Sequence, residues 1–172
     1  MTNISKIQTG DALPKAFTPQ EQQALQFRRA TADDVTAMMR IRLDVRENTL
    51  SDPGIITRQM YLDYLDQLGR GWVCERNGQI IGFSYADHGD SSIWALFVQP
   101  GHEGLGAGKR LLQLACDYLF GLGHAQVKLG TTPNTRADRF YATQGWQRGV
   151  MRNAVEVELT LQRPGRLVLP VR

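Results

Sequence analysis

Apolar and polar positions along the chain alternate between two periods, and the switches mark out the elements. Leu25 and Phe27 stand between polar neighbours, which predicts a short first strand beginning near Ala24. Thr31 then precedes a helical pattern with Val35, Met38 and Met39 on one stripe, and Asp33 and Asp34 fall in its first turn, where the helix dipole favours negative charge. The segment Asn48 to Gly54 (NTLSDPG) is rich in turn formers and predicts a loop. Thr57 opens a second helix with Met60, Tyr61, Tyr64, Leu65 and Leu68 at helical spacing.

From Gly71 the period falls to two. Trp72 to Arg76 and Gln79 to Ala86 flank Asn77-Gly78, a strong hairpin signal. His88-Gly89-Asp90 turns into an apolar strand at 91–98. A helix follows with Leu111, Leu112, Ala115, Leu119 and Leu122 on one face. Then come a strand at 125–131, a helix from Thr135 to Gln144, and a last strand pair near 146–152 and 154–162. The order β-α-α-β-β-β-α-β-α-β-β predicts a mixed α/β sheet with helices on both faces. Residues 1–23 lack sustained periodicity and read as a loosely ordered extension, 24–162 as one domain, and 163–172 as a C-terminal tail.

Composition narrows the class. A chain of 172 residues is long enough to bury a core without disulfides, and its net charge of +3 is spread along the chain. Nucleic-acid binding usually needs basic residues clustered on one face, so it is not expected. Cys74 and Cys116 sit among apolar neighbours and read as buried free thiols. His88, His102 and His124 stand alone, without metal-ligand spacing. No window has the length of a signal peptide core or a membrane span, and a cytoplasmic enzyme fits these bounds.

The stretch Val98-Gln99-Pro100-Gly101-His102-Glu103-Gly104-Leu105-Gly106-Ala107-Gly108-Lys109-Arg110 joins a strand to a helix through glycines. Several backbone N–H groups then lie beside the positive end of a helix, a seat for phosphate. A nucleotide P-loop would need glycine at Glu103 and a hydroxyl at Arg110, so that reading fails. A dinucleotide fingerprint fails on spacing, and antiparallel strands precede the loop.

Val-x-Pro followed by x-G-x-G-x-G and a Leu-Leu helix resembles the acyl-coenzyme A loop of GCN5-related N-acetyltransferases (GNAT). A second motif, Asn134-Thr135-Arg136-Ala137-Asp138-Arg139-Phe140-Tyr141 with Gly145-Trp146 after it, resembles the family's N-x-x-A-x-x-x-Y and Gly-aromatic pair. The resemblance spans about residues 24–160. It implies a central, mostly antiparallel sheet of six to seven strands flanked by four helices, with acetyl-coenzyme A as co-substrate and no metal. Glu103 departs from the pattern, because the family usually carries Gln or Arg there. A carboxylate beside a diphosphate is unfavourable unless it points outward.

Carried over by position, backbone groups of Leu96, Phe97 and Val98 would pair with the pantetheine amides. Glu103, Gly104, Leu105, Gly106, Ala107 and Gly108 would present main-chain amides to the diphosphate, with Lys109 adding charge. Asn134 would bond the pantetheine arm, and Tyr141 would reach the thioester sulfur. Transfer to an amine needs an oxyanion donor, expected from the 96–98 backbone, and an acid, expected from Tyr141. The strand at 91–98 carries no carboxylate, so Glu47 at the end of the first helix is the expected base, ahead of Asp87 and His88.

Arg42 and Arg46 lie one helical turn apart and could grip a substrate carboxylate, although an ordinary charged helix face is the plainer reading. Substrate contacts are expected from the 42–54 segment and the strands around Tyr85 and Trp94. Trp94 could wall an acceptor pocket, although core is the plainer reading, and Trp72 and Trp146 read as packing. The expected reaction is acetylation of a small-molecule amine by direct attack in a ternary complex. Acetylation of a protein N-terminus or lysine, or a non-catalytic acyl-coenzyme A sensor, are the alternatives. Leu167-Val168-Leu169 could serve a homodimer contact or cover the chain's own sheet edge.

Overall fold

A computed structural model describes residues 24–45 and 53–165. The extension at 1–23, the loop at 46–52 with Arg46 and Glu47, and the end of the tail at 166–172 lie outside the described residues.

Seven strands form one sheet: β1 (Gln26–Arg29), β2 (Gly69–Arg76), β3 (Gln79–Asp87), β4 (Ser92–Val98), β5 (Gln126–Thr131), β6 (Gln147–Met151) and β7 (Val157–Gln162), in the order β1-β2-β3-β4-β5-β7-β6. The helices are α1 (Val35–Asp44), α2 (Arg58–Asp66), α3 (Ala107–Gly121) and α4 (Arg136–Thr143). Among the described residues, only the β4–β5 pairing is parallel; every other pairing is antiparallel. No helix among the described residues is long and apolar enough to cross a membrane.

Strand alternation divides the core. On one face Trp72, Cys74 and Ile81 pack with Leu111, Ala115 and Leu119 of α3 and with Tyr141 of α4. On the other, Val73, Phe83, Tyr85, Ala95 and Phe97 pack with Val35, Met38 and Ile41 of α1 and Tyr61 and Leu65 of α2. Each central strand is therefore apolar on both sides, as a sheet covered by two helix layers requires. Asn77 and Gly78 both have positive φ (53° and 72°), the geometry that a two-residue hairpin turn needs to match strand twist.

Two expectations shift by a residue or two. Leu68 and Leu122 continue the helical spacing but fall past the ends of α2 and α3, where they are exposed. The last hairpin is shorter than its pattern. Residues 152–156 form a turn in which the Asn153 side-chain oxygen accepts from the N–H groups of Val155 and Glu156 at 2.8 Å each.

Candidate active site

Two features of β4 open the sheet. Its register against β3 skips at Trp94: Tyr85 pairs with Ala95 and Ala86 with Ile93, leaving Trp94 between them without a partner. Such a bulge bends its strand and frees a backbone group from the ladder. On the other side, β4 pairs with β5 only at Ser92↔Lys128, although both strands run on towards their C-terminal ends. The separated ends wall a cleft of about 900 Å³, with Leu96, Phe97 and Val98 on one side and Gly130 and Thr131 on the other.

The glycine loop forms one mouth of this cleft. Gly106 is the N-cap of α3 at φ 89°, and Gly104 sits at φ 77°, a left-handed region that costs a side-chain-bearing residue strain. A Cβ at either position would meet no protein atom within 4 Å, so these positions face open space. Glu103, Gly104, Gly106, Ala107, Gly108 and Lys109 line the cleft. Leu105 does not; it is 44% exposed on the outer side of the loop.

Glu103 does not point away from its loop. One carboxylate oxygen accepts from the Gly101 N–H at 2.7 Å, and the other lies 3.4 Å from Arg136 Nη1 at the start of α4. Its own backbone N–H, that of Gly101, and the charge of Arg136 hold its carboxyl below the usual carboxylate range. This anchoring uses the Gly101 N–H at the start of the loop and leaves the amides of 104–108 without a side-chain acceptor among the described residues.

α4 supplies the opposite wall. Thr135 caps it, its hydroxyl accepting from the Asp138 N–H at 3.2 Å and donating to the Thr132 carbonyl at 2.8 Å. Asn134 is exposed at φ 63° beside the cleft rim and is not among the lining residues. Buried Asp138 fixes that turn: it accepts from the Asn134 N–H at 2.8 Å and is paired with Arg148 of β6. Sequence reading assigned Asp138 no role, because its partner Arg148 lies ten residues on, across a turn.

Tyr141 lines the cleft, packed edge-on against Phe140 and Trp146 with ring centroids 5.3 and 5.7 Å away. Burial pushes its hydroxyl above the ordinary tyrosine range, with Cys116 adding to the shift. It is therefore a protonated donor at neutral pH. Both thiols are also raised by burial, Cys74 to about 11 and Cys116 to about 12.

The remaining wall comes from the end of α1. Asp44 and Val45 line the cleft, and Asp44 accepts from the Gln99 side chain at 2.9 Å. Asp44 is a cleft carboxylate that the sequence reading did not single out. Arg42 does not line the cleft. Its guanidinium stacks on Phe97 (4.9 Å to the ring centroid) and Trp94 (5.5 Å), and its buried Nε and Nη1 have no partner among the described residues.

Tyr85 is fully buried and donates to the Tyr61 carbonyl at 3.1 Å, which makes it packing rather than an acceptor contact. Trp72 and Trp146 are buried as expected. Asp87 and His88 adjoin Ser92, the opposite end of β4 from the cleft. There Asp87 accepts from the Tyr64 hydroxyl and the Gly89 and Asp90 N–H groups, while His88 Nδ1 lies 3.3 Å from the Tyr118 hydroxyl. Neither is placed to serve as a base.

A split mixed sheet with a glycine loop at the mouth of its cleft is the resulting architecture. Solved structures share it. An N-acetyltransferase from Staphylococcus aureus Mu50 superposes with a TM-score of 0.68 at 15% identity, covering 81% of this chain and 98% of that one. The paia N-acetyltransferase from Thermoplasma acidophilum, solved in complex with coenzyme A, gives 0.68 at 12% identity over 81% and 99%. The ribosomal-protein-S18-alanine N-acetyltransferase from Escherichia coli gives 0.66 at 16% identity over 85% and 99%. At these identities the likeness speaks for the fold alone. Among curated proteins, none matches the sequence. The profile of the Acetyltransferase (GNAT) family matches residues 35–146, and the chain belongs to that family.

Proposed function

We propose that the protein transfers an acetyl group from acetyl-coenzyme A to the primary amine of a small molecule, by direct attack within a ternary complex. The observation that carries this reading is the opening between β4 and β5, with the glycine loop at one end and Tyr141 in its wall. When bound, acetyl-coenzyme A supplies the acetyl thioester. The exposed edge of Leu96–Val98 offers backbone partners to the pantetheine amides, and the amides of 103–108 receive the diphosphate with help from Lys109. Asn134, at the rim, bonds the outer part of the arm.

Tyr141 holds its proton until a better base, the departing thiolate, accepts it. Backbone N–H groups of β4, from the 96–98 segment or the free position at the Trp94 bulge, stabilise charge on the carbonyl oxygen. Direct attack is supported by the thiols: both are buried with raised pKa, the reverse of an activated nucleophile. Glu47, two residues after the cleft-lining Val45 in sequence, is the proposed base. Otherwise water relays the proton.

Tyr141→Phe keeps the ring and removes only the donor. It should lower kcat about 100-fold or more while leaving coenzyme A affinity within twofold, measured by thiol release over a panel of amines and by calorimetry. Unchanged turnover across the pH range would refute the acid role. Tight coenzyme A binding by the unmodified protein without turnover of any amine, peptides included, would favour a sensor instead.

A further inference from the structure

The side chain of Glu103 lines the cleft beside the amides of 103–108 that the coenzyme A reading assigns to phosphate. It is folded back so that one oxygen accepts the Gly101 N–H at 2.7 Å, while the other faces the Arg136 guanidinium at 3.4 Å. The two partners come from opposite lips of the cleft, the glycine loop and the start of α4, and both Glu103 and Arg136 line it. A carboxylate satisfies the Gly101 N–H and the guanidinium at once.

We propose that Glu103 is a built-in electrostatic competitor beside the phosphate seat, and that Arg136 changes partner from this carboxylate to phosphate on binding. The inference rests on the coenzyme A reading above.

Charge decides the outcome. A diphosphate arriving beside this carboxylate meets like-charge repulsion, which is relieved when the side chain swings away. Leaving is easy: the pair is half-open to water, with Arg136 58% and Glu103 35% exposed, and exposed ion pairs are weak. Arg136 gains a doubly ionised partner in exchange, for which guanidinium geometry is suited. Lys109 on the same loop keeps the mouth attractive to anions throughout. The device sets a threshold: the protein stays closed to weak anions and yields to a ligand carrying several phosphate charges.

Coenzyme A titrated into the wild-type chain, Glu103→Gln, Arg136→Gln and the double variant provides the test, with thermal melts to verify folding. Pantetheine, which carries no phosphate, is titrated in parallel by NMR. Glu103→Gln should bind coenzyme A about tenfold more tightly and pantetheine no better. Arg136→Gln should weaken coenzyme A binding about threefold or more even in the Glu103→Gln background, because phosphate contact is then its only role. Equal or weaker coenzyme A binding by Glu103→Gln would overturn the competition, as would an equal gain for pantetheine. Neutrality of Arg136→Gln in that background would overturn the exchange of partners. Absence of coenzyme A binding in all four proteins would sink the cofactor reading itself, and this inference with it.

Discussion

The sheet has two halves built to different rules. From β1 to β4 the strands pair along their lengths, β2 with β3 from Gly69↔Asp87 to Arg76↔Gln79, and both faces of β2, β3 and β4 are covered by helices. Beyond β4 the sheet is held to the rest by Ser92↔Lys128, and its edge strand β6 is exposed at every residue. Where both faces are buried, a slip in register would move apolar side chains out of one core and into the other, so pairing is enforced. Where the ladder stops, backbone groups are left for a ligand. The lesson is that the cleft is not carved into a finished fold; it lies where two halves that share one core stop pairing.

The comparison can be broken hardest in the paired half. Gly69 faces β3 so closely that a Cβ there would lie 1.7 Å from the Ala86 carbonyl oxygen. Gly69→Ala should cost about 3 kcal/mol or more and lower the thermal midpoint by more than about 10 °C. A midpoint within a few degrees of wild type would mean that this register is softer than described.

The open half should respond the opposite way, losing ligand rather than fold. Gly106 is left-handed and borders open space. Gly106→Val should weaken coenzyme A at least about 100-fold in calorimetry, while strain at the helix cap lowers stability by only about 1–3 kcal/mol. Unchanged affinity would exclude close main-chain approach as the binding mechanism.

A smaller effect sharpens the electrostatics of the paired half. Asp34 receives both terminal nitrogens of Arg28 at 2.8 Å and caps its turn through the Thr31 N–H at 2.8 Å. The Arg28 hydrogen bonds, against the opposing cost of burial, hold its carboxyl below the usual aspartate range. A depressed carboxylate stabilises the fold above its unfolded pKa of about 4, and that contribution disappears as pH falls through the lower folded value. Asp34→Asn should therefore cost about 1 kcal/mol at neutral pH, the exposed side of Arg28 having been allowed for. The gap between the two proteins should close as pH falls from the unfolded pKa through the lower folded value, read from melts across the pH range. A gap of constant size would assign the effect to the cap geometry rather than to charge.

The legible part of this protein was the local part. Helical and strand periods placed every element to within a few residues, because each depends on neighbours close in sequence. The reading overran at Leu68 and Leu122, where spacing continued but the hydrogen-bond pattern had closed. The glycine loop and Tyr141 were equally readable, being carried by compact motifs whose residue types state their own reason.

Long-range assembly was hidden. Asp44 enters the cleft because α1 ends against Gln99, fifty-five residues away, and Asp138 matters because Arg148 returns from β6. Asp87 and His88 sat in a plausible strand-end turn, but the antiparallel course of β3 and β4 carries them to the wrong end.

By itself, then, the order of residues determined the helices, the strands, and a glycine loop before a helix. Only the tertiary structure decided that β4 and β5 part after a single ladder pair, and that Glu103 folds back to meet Arg136. Periodicity reports which face of a segment avoids water. It carries no information about which distant segment comes to lie against that face, since that choice is made by the packing of the whole sheet and its two helix layers.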